Sequence, residues 1–330
     1  MSIDISNLPK PSGKRKARNW NRVNKRLVQR GEIDFYFDFL ASWKEELQIL
    51  NQNKVGRPFK YPNSLVFIAK MLRLQFSIAY RTLEGVLRTL GKLLQFQVPD
   101  FSTIWARLDK IDLRNYLPQE EFKPKLVLSV DASGIKVDDY SDWMRHKWQD
   151  KAKKRRGWIK MHVIVDVESH TTIDVKITKE DVGDQEEFIP LVQTALELGA
   201  DIKQVQGDGI FDTKEIHNFL AKNKLEPGIP PRKNASRKAQ GSAARAAEIR
   251  MYQDYGEKTW KLIRQYHLRP AVERTFSAFK QLFGDTVMSR KWERIVDELK
   301  SKFWILNWNL TRPLISEMPT LVPARGEVKC

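Results

Sequence analysis

The chain has 330 residues, enough for one large domain or two, and 58 Lys and Arg against 41 Asp and Glu give it a formal charge of +17. Such an excess favours a polyanionic partner, of which nucleic acid is the commonest. The sole cysteine, Cys330, excludes a disulfide frame and a thiolate zinc cluster, the five histidines lack metalloprotease spacing, and neither a signal peptide nor a bilayer-length apolar run is present, so a soluble cytoplasmic, chromosome-associated protein is expected.

Residues 1–30 read as a basic disordered arm, and 31–120 as a helical DNA-binding region. Its helices are Leu65 to Leu74, Tyr80 to Leu90, and Ser102 to Ile111, the last entered through Pro99-Asp100. Arg73, Arg81, Arg88 and Arg107 on short-linked helices suggest a helix-turn-helix-like DNA reader, although any small helical bundle has similar spacing.

From 121 to 311 the pattern changes to alternating strands and helices. Lys125 to Asp131 is an apolar β-rich run that ends in Asp and breaks at Ala-Ser-Gly134. Lys147 to Gly157 is polar and aperiodic, which predicts a mobile basic loop carrying Lys153, Lys154, Arg155 and Arg156. Lys160 to Val167 and Thr171 to Thr178, joined at Ser169-His170, form an antiparallel hairpin. An amphipathic helix over about Gln185 to Leu198 follows, then a strand from Ile202 ending at Asp208 between two glycines that let a backbone or phosphate come close. A helix around Thr213 to Asn223 and a short strand near Leu225 to Ile229 complete a mixed α/β sheet with flanking helices. Residues 233–250 read as a flexible basic insertion, Trp292 to Leu310 as a helix packing Trp304 and Trp308 on the core, and 312–330 as a flexible tail.

The most informative segment is Tyr266-x2-Arg269-x3-Glu273-x6-Lys280. At ~100° per residue, Arg269, Glu273 and Lys280 fall within ~40° of one another, beside an apolar stripe of Leu268, Val272, Phe276, Phe279 and Phe283. Pro270 suits a first turn, so the helix is expected to begin near Arg269, with Tyr266 just before it. An Arg–Glu pair four apart is ordinarily a solvated helix face, and a single Asp after a strand is ordinarily a turn former. Together, two strand-end acids and a helix-borne Glu suggest more. Three converging carboxylates need a hard cation, and paired Mg²⁺ ions ~3.5–4 Å apart would support in-line displacement at phosphorus.

Among the neighbouring acids, Asp212 reads as an N-cap before Thr213-Lys-Glu215, and Asp166 and Asp174 as strand residues that alternation could place on a solvated face. Trp143, Trp148, Trp158 and Trp260 interleave with the basic clusters and could stack on unpaired bases, core packing being the ordinary alternative.

Asp131, then Asp208, then Glu273 inside the Tyr-Arg-Glu-Lys spacing resembles the DDE transposases of prokaryotic insertion sequences, in the insertion sequence four and five superfamily. That resemblance covers roughly residues 60 to 311. It implies a ribonuclease H-like catalytic domain, with Asp131, Asp208 and Glu273 as catalytic ligands of two Mg²⁺ ions, for which Mn²⁺ could substitute. It assigns DNA contacts to Tyr266, Arg269 and Lys280, joined by Lys153, Lys154, Arg155 and Arg156 from the basic loop. The expected activity is cut-and-paste transposition on double-stranded DNA, both terminal inverted repeats and target, by a homodimer on paired ends. A metal-dependent nuclease of the same fold and a catalytically dead DNA-binding relative are the alternatives.

Overall fold

The computed structural model describes residues 19–29, 38–117, 122–137, 158–238 and 240–311. Along these residues the elements are α1 (Trp20–Gln29), α2 (Asp38–Asn51), α3 (Asn63–Phe76), α4 (Tyr80–Leu94), α5 (Phe101–Leu108), β1 (Leu126–Lys136), β2 (Trp158–Asp166), β3 (Thr172–Lys179), α6 (Phe188–Glu197), β4 (Ile202–Gln206), α7 (Lys214–Lys222), β5 (Glu226–Gly228), α8 (Ala243–Ile263), α9 (Ala271–Phe283) and α10 (Trp292–Thr311). The sheet order is β3-β2-β1-β4-β5. Only β2 runs against the others: it is antiparallel to β1 and β3, while β1–β4 and β4–β5 are parallel. This order and polarity make a ribonuclease H-like mixed sheet, covered by helices on both faces.

Period-2 alternation sorts the strand residues between two cores. Ile159, Met161, Val163 and Val165 of β2, with Ile135 of β1, pack against α3, α9 and α10. Leu126, Leu128 and Val130 of β1, with Ile164, pack against α6 and α7. On α9 the expected stripe is present: Val272, Phe276, Phe279 and Phe283 are buried, and Phe279 stacks on Phe303 of α10 with ring centroids 4.4 Å apart.

The helical N-terminal region is no separate module, because α3, α4 and α5 contribute to the same apolar core as the sheet. Asp100 caps α5 as its sequence suggests, its Oδ1 accepting from Thr103 N at 2.7 Å. Leu83, Leu87 and Gly91 form the buried stripe of α4. Gly91 is required by contact, since a Cβ there would lie 2.6 Å from Val98 Cγ2 and 2.8 Å from Phe96 O. Two of the arginines read as DNA contacts turn inward. Arg73 donates to Ile78 O and lies over the Tyr80 ring, and Arg107 bonds Asn63 Oδ1, so both hold the bundle together. Lys70, 1% exposed, joins this region to α10 by donating to Asp297 Oδ1 at 2.7 Å and to Ile111 O at 2.6 Å.

Three other expectations are corrected. Residues 20–29, placed in a disordered arm, form α1. Asp166 and Asp174 are buried rather than solvated; Asp166 accepts from Ser169 N at 3.0 Å and Ser169 Oγ at 2.6 Å, which shapes the hairpin turn. The end of the insertion at 233–250 is helical from Ala243 onward. Ser242 caps α8 by accepting from Arg245 N at 3.1 Å, and alanines, the strongest helix formers, fill its first turn. The helix breaks at Gly256, whose φ of 76° suits glycine.

Asp212 is likewise not an N-cap; Thr213 caps α7. The Asp212 side chain, 1% exposed, accepts from Arg245 Nε and Nη2 at 2.7 Å each and from Arg232 N at 2.9 Å, with His217 Nε2 at 3.2 Å. It therefore docks α8 on the loop after β4. Burial by itself would raise this carboxyl, but His217, Arg245 and the Arg232 N–H outweigh it and hold the group well below the usual carboxylate range.

Lys70→Ala should cost about 3 kcal/mol by stranding Asp297, and Lys70→Met with Asp297→Leu should recover part of that. Urea unfolding followed by circular dichroism checks this, and a separate early transition of the N-terminal helices would contradict the shared core. A depressed folded value means that Asp212 contributes fully above the ordinary carboxylate range and less as pH falls toward its folded value. The stability gap between wild type and Asp212→Asn, about 3–5 kcal/mol at pH 7, should therefore narrow below about pH 4 in denaturant titrations.

Candidate active site

Asp131 is not at a strand end but at the middle of β1, which continues to Lys136 paired with β2. What ends near Asp131 is its other neighbour. The parallel pairing of β1 with β4 ends at Ser129↔Gln206, two residues before Asp131, and Asp208 follows the end of β4 by two residues, near enough to Asp131 to add to the rise of its carboxyl. The same alternation turns Ser129, Asp131 and Ser133 toward α9. Each meets it: Ser129 Oγ donates to Arg269 O at 3.3 Å, Asp131 Oδ2 accepts from Arg269 Nη2 at 2.8 Å, and Lys280 Nζ donates to Ser133 Oγ at 2.9 Å.

Pro270 caps α9, which begins at Ala271, and Tyr266–Leu268 forms a single 3-10 turn ahead of it. Arg269 lies in the bend between them. Its guanidinium bridges two acids, Asp131 through Nη2 and Glu273 Oε1 through Nη1 at 2.7 Å. Glu273 itself is 55% exposed, and Asp131 20%. Burial pushes the Asp131 carboxyl up, with Asp208 and Glu273 adding to the shift and Arg269 and the Ala132 N–H opposing it. The Tyr266 phenol is raised chiefly by burial, and the three carboxylates add to that.

Asp208 caps the 3-10 turn Gly209–Phe211, its Oδ1 accepting from Ile210 N at 2.8 Å. Gly207 serves packing rather than phosphate approach: a Cβ would lie 2.7 Å from the Phe211 ring. Tyr266 Oη donates to Gly207 O at 3.3 Å, which ties the turn before α9 to the end of β4. Two buried glutamines on β4 secure that turn from below. Gln204 Nε2 donates to Arg264 O at 2.9 Å, and Gln206 Nε2 to Arg264 O and Gln265 O at 3.1 Å each. The sequence analysis overlooked both, although two amides alternating inside an apolar strand are a legible sign that something polar must satisfy them.

Asp131, Asp208, Tyr266, Arg269, Glu273 and Lys280 thus come together around the C-terminal end of the β1–β4 pair. Lys153, Lys154, Arg155 and Arg156, with Trp143 and Trp148, lie outside the described residues. Trp260 is fully buried, its Nε1 donating to Glu248 Oε1 at 2.6 Å, whereas Trp158 is 41% exposed beside Gly134. Among the described residues no group of three or more His, Cys, Asp or Glu side chains stands in an arrangement that could hold a metal ion, and no helix is long and apolar enough to cross a membrane. Between Asp131 and Glu273 the guanidinium of Arg269 supplies the positive charge instead.

Two family models, each described as a transposase DDE domain, match residues 122–308 and 28–140. A protein of Aquifex aeolicus (strain VF5), itself described as uncharacterized, is 26% identical over 251 residues, 71% of this chain and 72% of that one. Among solved structures, the piggyBac transposase synaptic complex with hairpin DNA aligns at 11% identity and a TM-score of 0.38, over 86% of this chain and 73% of that one. The Drosophila P element transposase strand transfer complex aligns at 9% and 0.30, over 81% and 70%. The intasome of simian T-cell lymphotropic virus with the PP2A regulatory subunit B56 gamma aligns at 12% and 0.32, over 77% and 78%. These scores are too low for anything of those complexes to be carried over. The first family model alone spans more than half of the chain, from just before β1 into α10 and across all three acids, and on that ground the protein belongs to the DDE-domain transposases.

Proposed function

We propose that this transposase, of the insertion sequence four and five type, binds the terminal inverted repeats of its own element, cuts the phosphodiester there and joins the freed 3′ hydroxyl to target DNA. What supports this reading is the guanidinium of Arg269 bonded to both Asp131 and Glu273, with Asp208 near enough to Asp131 to add to the rise of its carboxyl. The donor set suits a hard divalent cation, since it offers carboxylate oxygens only, and the raised Asp131 carboxyl marks a place where positive charge is in demand. Asp131, Asp208 and Glu273 would hold Mg²⁺, or Mn²⁺ in its stead. When bound as a pair such ions activate the attacking oxygen and stabilise the leaving one.

The chain's own groups do the remainder. Asp131 stands on β1 and Asp208 in the turn that directly follows the neighbouring parallel strand β4, so the sheet fixes the one and the start of the other's turn. Glu273, exposed on the first turn of α9, is free to turn from Arg269 toward them. An Arg269 so released is placed to meet a phosphate oxygen, for which a planar guanidinium is well shaped. Tyr266 keeps the Gly207 carbonyl, and with it the start of the Asp208 turn, in place, while Lys280 holds Ser133 two residues beyond Asp131. The net charge of +17 supports a double-stranded DNA partner, and the need to bring two ends together favours a homodimer on paired ends.

Asp131→Asn, Asp208→Asn and Glu273→Gln should each lower Mg²⁺-dependent nicking of terminal-repeat DNA by roughly 10³-fold, the loss of several kcal/mol of charge stabilisation. Gel-shift affinity should stay near wild type. Retained nicking by Glu273→Gln would remove that residue from the site, and nicked ends that never appear joined to a target plasmid would leave only a nuclease. Affinity for the repeats should fall by about 10³-fold between 50 and 200 mM salt, and a flat response in a filter-binding titration would contradict phosphate neutralisation.

A further inference from the structure

Helix α8 is placed where the sequence suggests a loose insertion, yet an ion pair ties its start to the loop after β4 and a second folds its end back on itself, where the Arg264 carbonyl meets β4. At its start, Arg245 grips both oxygens of Asp212 at 2.7 Å. Asp212 also accepts from Arg232 N at 2.9 Å, and the exposed Arg232 side chain turns back onto the Asp208 turn, donating from Nε to Gly209 O at 3.1 Å and from Nη2 to Ile210 O at 2.7 Å. Those are the two residues after Asp208, and Ile210 N is the donor that orients the Asp208 carboxylate. One turn further along α8, Glu248 is 4% exposed. It accepts from Arg264 Nη2 at 2.6 Å, Arg264 Nε at 3.0 Å and Trp260 Nε1 at 2.6 Å, drawing the segment after the Gly256 break back against the first. The carbonyl of Arg264 is the one that Gln204 and Gln206 hold, one residue before the Tyr266 turn begins to form.

The geometry points to α8 as the brace that sets where Asp208 stands relative to the Tyr266–Arg269 segment, with Arg232, Asp212 and Arg245 as positioning residues for Asp208 and with Glu248 and Arg264 as positioning residues for the turn before α9. This rests on Asp208 being one of the site's acids, as proposed above. None of the five bonds the Asp208 carboxylate itself. Arg232 acts on the carbonyls of residues 209 and 210 and Arg264 through its own carbonyl, while Asp212, itself gripped by Arg245, holds Arg232 at its N–H and Glu248 holds the Arg264 side chain. Displacement of a reacting group by about 1 Å can cost 10²-fold in rate, so a turn held at two carbonyls is worth more to catalysis than its exposed hydrogen bonds are worth to stability.

Arg232→Ala is the informative variant, because this side chain is exposed and its removal leaves the Asp212–Arg245 pair intact. Three quantities would be measured on the full chain: Mn²⁺ binding by electron paramagnetic resonance, terminal-repeat binding by gel shift, and nicking across a Mn²⁺ series. The expected outcome is Mn²⁺ affinity weakened at least fivefold, maximal nicking lowered 10- to 100-fold, DNA affinity within twofold of wild type, and part of the nicking restored by millimolar methylguanidinium. Unchanged Mn²⁺ binding and nicking would overturn the brace, and a loss of DNA affinity that accounts for the whole defect would make Arg232 a DNA contact instead. Arg264→Gln tests the other arm, with nicking lowered and Mn²⁺ binding kept; unchanged nicking in both variants overturns the proposal altogether. Wild type that neither binds Mn²⁺ nor nicks, or Asp208→Asn that does both, would instead remove the underlying site assignment.

Discussion

The ion pairs of Arg269 with Asp131 and Glu273 are the interaction to which the rest of the site answers. Asp131 is fixed on β1, whose parallel register with β4 cannot slip without turning every apolar residue of β1 to the wrong face. Left alone, burial, with Asp208 and Glu273 adding to it, would push Asp131 toward its neutral form. Arg269 relieves it by placing one guanidinium between Asp131 and Glu273. The pair with Glu273 is a local one across four residues and by itself is worth little, whereas the pair with Asp131 reaches from the bend before α9 to the central strand and ties the two together.

An internal guanidinium in that position satisfies Asp131 and Glu273 without the desolvation cost of leaving a largely buried carboxylate bare. The surrounding contacts hold the frame independently of the Arg269 guanidinium. Tyr266, Lys280, Ser129 and the two β4 glutamines all hold backbone or hydroxyl groups rather than the acids themselves.

The N-terminal helices show how a charge pattern can mislead. Arg73, Arg88 and Arg107 look alike in sequence, but Arg73 and Arg107 are drawn into the bundle by carbonyl and amide oxygens, while Arg88 stays at the surface with Glu84. Spacing along a helix does not say which face the neighbouring helices will cover. The same holds for Asp212, whose place before Thr213 suits a cap although a partner 33 residues away in sequence claims it.

Strand and helix order and the apolar stripe of α9 were legible in the sequence, because period, capping and spacing are local properties that the chain carries wherever it goes. The middle position of Asp131 within β1, the burial of Asp166, Asp174, Asp212, Arg73 and Arg107, and the conversion of a basic stretch into α8 were not. Each depends on partners distant in sequence, and only tertiary packing, which decides what is desolvated and therefore what must be paired, could settle them.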